Sequence, residues 1–137
     1  MQIGKNAKIE LIKHVPLFAR CSRKQLAEIA SLADEIDLPS GKVIIREGDR
    51  GREFFVLVKG TAEVRRQGEA VNALSDGDFF GEIALVSGRP RTATVTTTSP
   101  VHALVVTEQA FDALLRGSRE IQSKVLRALA ERVPMDT

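Results

Sequence analysis

Residues 80–91 combine two groups that bind small anions in proteins. Gly81 precedes Glu82–Leu85, where one short helical turn would begin, and the first backbone amides of such a turn have no partner within it. Because these amides lie at the positive end of the peptide dipoles, they can donate hydrogen bonds to an anion. Arg91, directly after Pro90, adds a planar guanidinium whose N–H groups match two phosphate oxygens at once. The two groups together indicate a phosphate site.

Glu82 adds a second chemistry to this segment. A carboxylate repels a phosphate, but it accepts hydrogen bonds from sugar hydroxyls, as the acidic residue of dinucleotide-binding folds does. Thr92 and the amide of Ala93 add donors, and the small side chains of Ala84 and Ala93 leave room for a ligand. Phosphate and ribose recognition together indicate a nucleotide. Taken without the flanking residues, Arg91 would more simply be a strand-end arginine paired with Glu82.

Three regions of different periodicity must position this segment. Residues 1–33 have apolar side chains at helical spacing, and so do residues 108–133. Residues 34–107 instead contain short β-branched runs separated by glycine turns, the pattern of an antiparallel β region. This order predicts an α+β domain that is mainly β. The runs expected to form strands are Lys42–Arg46, Glu53–Lys59, Thr61–Arg66, Val71–Leu74, Arg91–Thr98 and Val101–Val106.

Local signals place the helix ends. Ser22 and Gln25 have the spacing of a capping box at the start of a helix. Thr107 and Ser118 are expected to cap the last two helices, with Gly117 as the stop between them. The last helix has an apolar face formed by Ile121, Val125, Leu126, Leu129 and Val133. Such a face could pack on the β region, cover a ligand as a lid, or form a homodimer seam with a second copy.

The composition predicts one folded domain. The chain has 137 residues, of which 43% are hydrophobic and 28% charged, the balance of a globular protein rather than of a disordered chain. Its formal net charge of +2 is too small for a surface that follows a long nucleic acid. With six Phe and no Trp or Tyr, the chain lacks aromatic platforms for stacking single-stranded bases. The expected anion is therefore small and bound locally.

Cysteine and histidine usage excludes further kinds of site. Cys21 is the only cysteine, so neither an intrachain disulfide nor a thiolate zinc site can form. His14 and His102 do not have the spacing of metal ligands, and we expect neither a metal nor a cofactor. No run of residues is long and apolar enough to cross a membrane, and the N-terminal residues do not resemble a targeting segment. We therefore expect a cytoplasmic protein.

The central segment resembles the phosphate-binding cassette of the cyclic nucleotide-binding domains. That family has the pattern F-G-E-[LI]-A-L, a short variable loop, and then P-R-[ATS]-A-[TS]-V. This chain has Phe80–Leu85 and Pro90–Val95, which match every fixed position of both halves. The resemblance covers nearly the whole chain, 1–137, as one domain. It implies N-terminal helices at 1–33, an antiparallel double-stranded β-helix or jelly-roll-like β-roll at 34–107 with the cassette at 80–95, and two closing helices at 108–133.

The resemblance also implies roles for individual residues. Arg91 would pair with the exocyclic oxygens of a cyclic phosphate, and Glu82 would accept a hydrogen bond from the ribose 2′-hydroxyl. The amides of Gly81–Ala84, which include that of Ile83, and those of Thr92–Ala93 would complete the phosphate site. Base contacts are expected from Val58 and Val71 in the roll and from Leu129, Arg132 and Val133 in the last helix.

Thr92 bears on the choice of base. In the family, a small alanine at this position often accompanies cyclic AMP, whereas a hydroxyl can bond a syn guanine and favour cyclic GMP. Cassettes with threonine also bind cyclic AMP, so Thr92 leaves both ligands open. We favour cyclic AMP, with cyclic GMP as the alternative.

The resemblance leaves several functions to be compared. The first is a regulatory sensor whose closing helices repack on binding and report to an unidentified effector. An enzyme acting on cyclic nucleotides is not expected, because the sequence offers no metal cluster and no paired base and nucleophile. A vestigial fold that serves only as an interaction or dimerisation domain is the third. Only residues 134–137 follow the last helix, without a DNA-binding helix-turn-helix. We therefore expect the effector in a separate protein or in a longer channel, kinase, acyltransferase-like protein or transcription regulator.

Overall fold

Helices lie at both ends of the sequence and strands lie between them, in a computed structural model that describes residues 2–81 and 89–132. Leu129, Glu131 and Arg132 are described by their backbone alone. The helices are α1 (Lys5–Lys13), a 3₁₀ turn (Pro16–Phe18), α2 (Arg23–Ala30), α3 (Glu108–Gly117) and α4 (Arg119–Arg132). The strands are β1 (Asp34–Leu38), β2 (Val43–Ile45), β3 (Glu53–Lys59), β4 (Ala62–Arg66), β5 (Glu69–Leu74), β6 (Phe79–Phe80), β7 (Thr94–Thr97) and β8 (Val101–Thr107). Within these described ranges, no helix is long and apolar enough to span a bilayer.

The strands form two four-stranded antiparallel sheets. One sheet has the order β1-β8-β3-β6, and the other has the order β2-β7-β4-β5. Because successive strands of the chain mostly alternate between the two sheets, the backbone winds as a roll. The expected fold class, an antiparallel β-roll with helices before and after it in the sequence, is confirmed.

The β-roll, Asp34–Glu108, is one compact unit and encloses an apolar core. Phe55 of β3 and Phe80 of β6 are direct partners in the register, and their rings stack with centroids 5.1 Å apart. This pairing places Gly81, the residue after β6, beside the start of β3. The buried core residues are Phe55, Leu57, Ala62, Leu74, Phe80, Val95, Val101 and Ala103.

The helices before and after the β-roll form a second compact unit. Phe18 and Phe111 meet there in a tilted arrangement, with ring centroids 5.8 Å apart. The Lys124 ammonium donates to Gln25 Oε1 at 2.7 Å and so joins α4 to α2. The fully buried side chains of this unit include Ile12, Val15, Leu17, Phe18, Ile29, Phe111 and Ile121.

The helix ends expected at Ser22, Gly117 and Ser118 are found. Gln25 N donates to Ser22 Oγ at 3.2 Å and Ser22 N donates to Gln25 Oε1 at 2.9 Å, so the capping box of α2 is complete. Ser118 Oγ accepts from Ile121 N at 3.3 Å at the start of α4. Gly117 is the last residue of α3. A cap from Thr107 stays a prediction.

Three strands differ from the expected runs. Asp34–Leu38 and Phe79–Phe80 are strands, although the first is too acidic and the second too short to have the β-branched pattern. The expected strand Arg91–Thr98 is limited to Thr94–Thr97. Its first residue, Arg91, is instead bonded by the loop between β2 and β3.

The apolar face expected on α4 is partly wrong. Ile121 and Val125 are buried, but Leu126 is 56% exposed and Ala128 is buried instead. The buried stripe of α4 follows Ile121, Val125 and Ala128 at spacings of four and three residues. Leu126 lies outside this stripe and is exposed to solvent. Val133 and the side chain of Leu129 lie outside the described residues.

Candidate functional site

Arg91 is a buried arginine whose guanidinium lies between β3 and Gly81. Only 5% of its side chain is exposed. Its Nη2 donates to the backbone oxygen of Glu53 at 2.6 Å, and Nη1 donates to the backbone oxygen of Gly81 at the long distance of 3.5 Å. The Glu53 carboxylate lies 4.0 Å from Nη2 and is itself 45% exposed. The guanidinium is therefore held in one orientation at the start of β3.

The main chain of Arg91 is held by the loop between β2 and β3. Arg91 N donates to the backbone oxygen of Asp49 at 2.6 Å, and Gly48 N donates to the backbone oxygen of Arg91 at 2.8 Å. One residue earlier, Pro90 forms an isolated antiparallel bridge with Arg50. These contacts explain why β7 begins only after Arg91.

Arg91 is a buried positive charge, and some of its guanidinium donors have no partner among residues 2–81 and 89–132. Burial lowers the pKa of the Arg91 guanidinium, while the nearby Glu53 carboxylate raises it. An arginine stays protonated in proteins even when its pKa is lowered. Its hydrogen bonds to Glu53 and Gly81 use two of the five guanidinium donors. The charge and the remaining donors are the groups that an anion would need.

Gly81 is adapted to this close approach. Its φ of +85° lies in the left-handed region that favours glycine. A Cβ at this position would lie 2.6 Å from Arg91 Nη1 and 3.0 Å from the backbone oxygen of Glu53. Any side chain here would displace the guanidinium.

Thr92 and Ala93 continue the same segment. Thr92 is exposed, whereas Ala93 is 8% exposed. The backbone oxygen of Thr92 accepts from Arg66 Nε at 3.2 Å, which joins this segment to β4. The alternation of exposed and buried residues leaves the Thr92 side chain at the surface beside Arg91.

The remaining residues named from the sequence are not all gathered here. Val58 is half-buried in β3 and Val71 is 50% exposed in β5, so the two belong to different sheets. The residues that lie outside the described part of the chain are Glu82, Ile83, Ala84, Leu85 and Val133, together with the side chains of Leu129 and Arg132. The described part of the site thus consists of Gly81, Arg91, Thr92 and Ala93.

Sequence reasoning missed Glu53 and the loop residues Gly48 and Asp49 as partners of Arg91. These partners lie about forty residues earlier in the chain, and their contacts with Arg91 are mostly through backbone atoms. Because all residue types except proline have the same backbone groups, contacts of this kind cannot be recognised from the amino-acid sequence. The one available signal was a charged residue, Glu53, directly before the apolar run Phe54–Val58.

Comparison with known proteins agrees with this fold. A family model described as "Cyclic nucleotide-binding domain" matches residues 35–118. A cAMP-dependent protein kinase regulatory subunit from Mycosarcoma maydis is 40% identical over 115 residues, which are 77% of this chain and 22% of that protein. A cyclic nucleotide-gated potassium channel from Rhizobium etli is 36% identical over 90% of this chain and 34% of the channel. The chain thus spans about a fifth to a third of the length of these relatives.

Solved structures show the same architecture. The N-terminal domain of a transcriptional regulator from Streptomyces coelicolor A3(2) superposes with a TM-score of 0.83 and 26% identity, covering 93% of this chain and 94% of that one. The regulatory domain of Toxoplasma gondii PKA with cAMP superposes with a TM-score of 0.73 and 28% identity, covering 80% of this chain and 43% of that one. Together with the family match over most of the β-roll, these likenesses establish that the chain belongs to the cyclic nucleotide-binding domain family.

Proposed function

We propose that this chain binds a cyclic nucleotide, with cyclic AMP favoured, through the segment 80–95. The observation that carries the proposal is the buried, oriented guanidinium of Arg91, which, within the described part of the chain, keeps donors beyond those used by Glu53 and Gly81. The half-exposed Glu53 carboxylate, 4.0 Å from Nη2, compensates this charge only in part, because burial still lowers the pKa of Arg91, and a buried charge without full compensation is costly. A cyclic phosphate carries one negative charge and would supply that compensation.

The remaining cassette residues complete the proposed site. Arg91 pairs with the exocyclic phosphate oxygens, and the amides of Gly81–Ala84 and Thr92–Ala93 donate to the same group. The Glu82 carboxylate accepts a hydrogen bond from the ribose 2′-hydroxyl. One arginine and a set of amides are sufficient for a single phosphodiester, so the net charge of +2 is compatible with anion binding.

The base is proposed to contact both the roll and the last helix. Val58 and Val71 provide apolar surface, and Leu129, Arg132 and Val133 are proposed to cover the purine, with the Arg132 guanidinium stacked on it. The exposed side chain of Thr92 is available to either base. Cyclic AMP is favoured because relatives named as cAMP-dependent regulatory subunits and a neighbour crystallised with cAMP are among the similar proteins.

The proposed role is regulatory rather than enzymatic. Binding is proposed to repack the terminal helices and so to control an effector domain or protein in the cytoplasm. The similar proteins named above are a kinase regulatory subunit, a channel and a transcriptional regulator, which supports a sensor that acts on something else. The last helix serves either as a lid or as a homodimer seam.

Side-by-side calorimetric titrations with cyclic AMP, cyclic GMP and 5′-AMP test this proposal. We expect the tightest binding for cyclic AMP, weaker binding for cyclic GMP, and the weakest for 5′-AMP, whose phosphate has a different charge and shape. Absence of binding by both cyclic nucleotides would overturn the proposal and favour a vestigial fold that acts as an interaction or dimerisation domain.

A further inference from the structure

Glu108, the first residue of α3, holds the loop between β2 and β3 at two points. Its backbone N donates to the backbone oxygen of Arg52 at 2.7 Å. Its carboxylate Oε1 accepts from Arg50 Nη2 at 3.1 Å. One backbone contact and one ion pair therefore tie Glu108 to this loop.

The Arg50–Glu108 pair is not an ordinary exposed ion pair. The Glu108 side chain is only 23% exposed, against 55% for Arg50. Its second oxygen, Oε2, is buried and has no hydrogen-bond partner among the described residues. Because a partly buried carboxylate with one unsatisfied oxygen is costly, Glu108 depends on Arg50 for compensation of its charge.

The same loop holds Arg91 on its other side. Gly48 and Asp49 bond both backbone groups of Arg91, and Arg50 pairs with Pro90. The next strand begins with Glu53, whose backbone oxygen accepts from the Arg91 guanidinium. Residues 48–53 thus contact Arg91 and Glu108 within one short stretch of backbone.

We propose that Arg50 and Glu108 are positioning residues for Arg91. Their ion pair fixes the loop 48–53, and the loop fixes the guanidinium that would receive the phosphate. This inference rests on the proposed function in that the ligand of Arg91 is taken to be a cyclic nucleotide. Because coupling between two sites is reciprocal, ligand at Arg91 and the Arg50–Glu108 ion pair stabilise one another.

The alternative is a surface ion pair without influence on the site. Exposed ion pairs contribute little to stability, and the loss of such a pair would leave the position of the Arg91 guanidinium unchanged. The two possibilities differ because Arg50 acts through the backbone of its own loop, whereas an independent pair would affect only local stability.

Titration with cyclic AMP separates these possibilities. We expect Arg50→Ala and Glu108→Gln each to weaken binding about 3- to 10-fold, the size of coupling carried by residues outside a binding site. The double variant should be no weaker than the worse single variant, and Arg50→Lys should recover most of the loss. Lys42→Ala, which removes the same charge from an exposed residue, is the matched control and should bind as the parent protein does.

A second measurement needs no ligand. The Nε–Hε NMR resonance of Arg91 reports the environment of the guanidinium, and it should shift in Arg50→Ala but not in Lys42→Ala. Unchanged affinity in Arg50→Ala, or an unmoved Arg91 resonance, would overturn the inference. If the parent protein binds no cyclic nucleotide, the proposed function fails and the Arg91 resonance alone decides the inference. If Arg50→Ala does not fold, Glu108→Gln carries the same comparison of affinity and of the Arg91 resonance.

Discussion

Gly81 and the guanidinium of Arg91 are so close that no side chain fits between them. A Cβ built on Gly81 would lie 2.6 Å from Arg91 Nη1, well inside van der Waals contact. The backbone of Gly81 also has a φ of +85°, which a residue with a side chain adopts only with strain. Two separate physical reasons therefore require glycine at position 81: the nearness of the Arg91 guanidinium and the positive φ.

Replacing Gly81 should affect binding and stability together. We expect Gly81→Ala to lower the free energy of unfolding by about 2 kcal/mol, because it adds left-handed strain and a close contact. We also expect it to weaken cyclic AMP binding at least about 10-fold, because the guanidinium of Arg91 must move. Urea denaturation and calorimetric titration measure the two effects.

Gly68 in the turn between β4 and β5 is the matched control for strain alone. It has a φ of +82°, but nothing lies within 4 Å of a Cβ added there. Gly68→Ala should therefore lower the unfolding free energy by about 1 kcal/mol and leave cyclic AMP affinity unchanged. Equal losses of affinity in the two variants would contradict a special role for the Gly81–Arg91 contact.

Glu82 is predicted to recognise the ribose. In the parent protein, 2′-deoxy cyclic AMP should bind about 10-fold more weakly than cyclic AMP, because a hydrogen bond to a charged acceptor contributes about 1.5 kcal/mol. In Glu82→Gln this difference should shrink, while the ratio of cyclic AMP to cyclic GMP affinity stays the same. Equal affinity of the parent protein for the deoxy and normal ligands would rule out this role for Glu82.

His102 of β8 lies between two carboxylates of β1. Its Nδ1 is 2.7 Å from Asp37 Oδ1, and its Nε2 is 2.7 Å from Glu35 Oε1. Only the doubly protonated imidazolium can donate to both. The hydrogen bond with Asp37, and then that with Glu35, raise the pKa of His102 above its usual 6.5. Lys59, opposite His102 in the register of β3, is exposed.

The free energy of unfolding should therefore fall as pH rises through the folded pKa of His102. Below pH 6.5 the imidazole is charged in both the folded and the unfolded state, and its hydrogen bonds to Asp37 and Glu35 contribute fully to stability. Above pH 6.5 the folded protein keeps a proton that the unfolded chain has lost, so this contribution decreases until the pH passes the folded pKa. Urea denaturation between about pH 6 and about pH 9 should show this decrease in the parent protein but not in His102→Gln. NMR titration should give His102 a lower pKa in Asp37→Asn. The same pH dependence in His102→Gln and the parent would contradict the assignment.

Local sequence patterns are sufficient for the features that depend on neighbours in the chain. The Ser22–Gln25 capping box needs residues only three apart, and its spacing alone predicts the start of α2. The two halves of the cassette are likewise local, so the residue types around Arg91 are enough to predict the candidate segment.

Features that depend on distant partners are not accessible in this way. β1 is a strand despite its acidic sequence because it pairs with β8 along its whole length and His102 bonds two of its carboxylates. Leu126 fits an apolar helix face by spacing, yet it is exposed while Ala128 is buried, because packing partners decide which stripe of a helix is covered. The loop that holds Arg91 acts mostly through backbone atoms, which the sequence does not specify.

The most direct test of cyclic nucleotide binding through Arg91 is the affinity of Arg91→Ala for cyclic AMP. Arg116→Ala, which removes an exposed arginine of α3 outside the segment 80–95, serves as the control for charge and should change the affinity little. Arg91→Ala should unfold cooperatively, with a loss of about 1–3 kcal/mol from the unpaired backbone oxygens of Glu53 and Gly81.

Calorimetric titration of the parent protein and these two variants with cyclic AMP makes the comparison. We predict that Arg91→Ala weakens binding by about 100-fold or more, equivalent to about 3 kcal/mol, while Arg116→Ala does not. Affinity for cyclic AMP that is unchanged in Arg91→Ala would contradict the proposed role of this arginine.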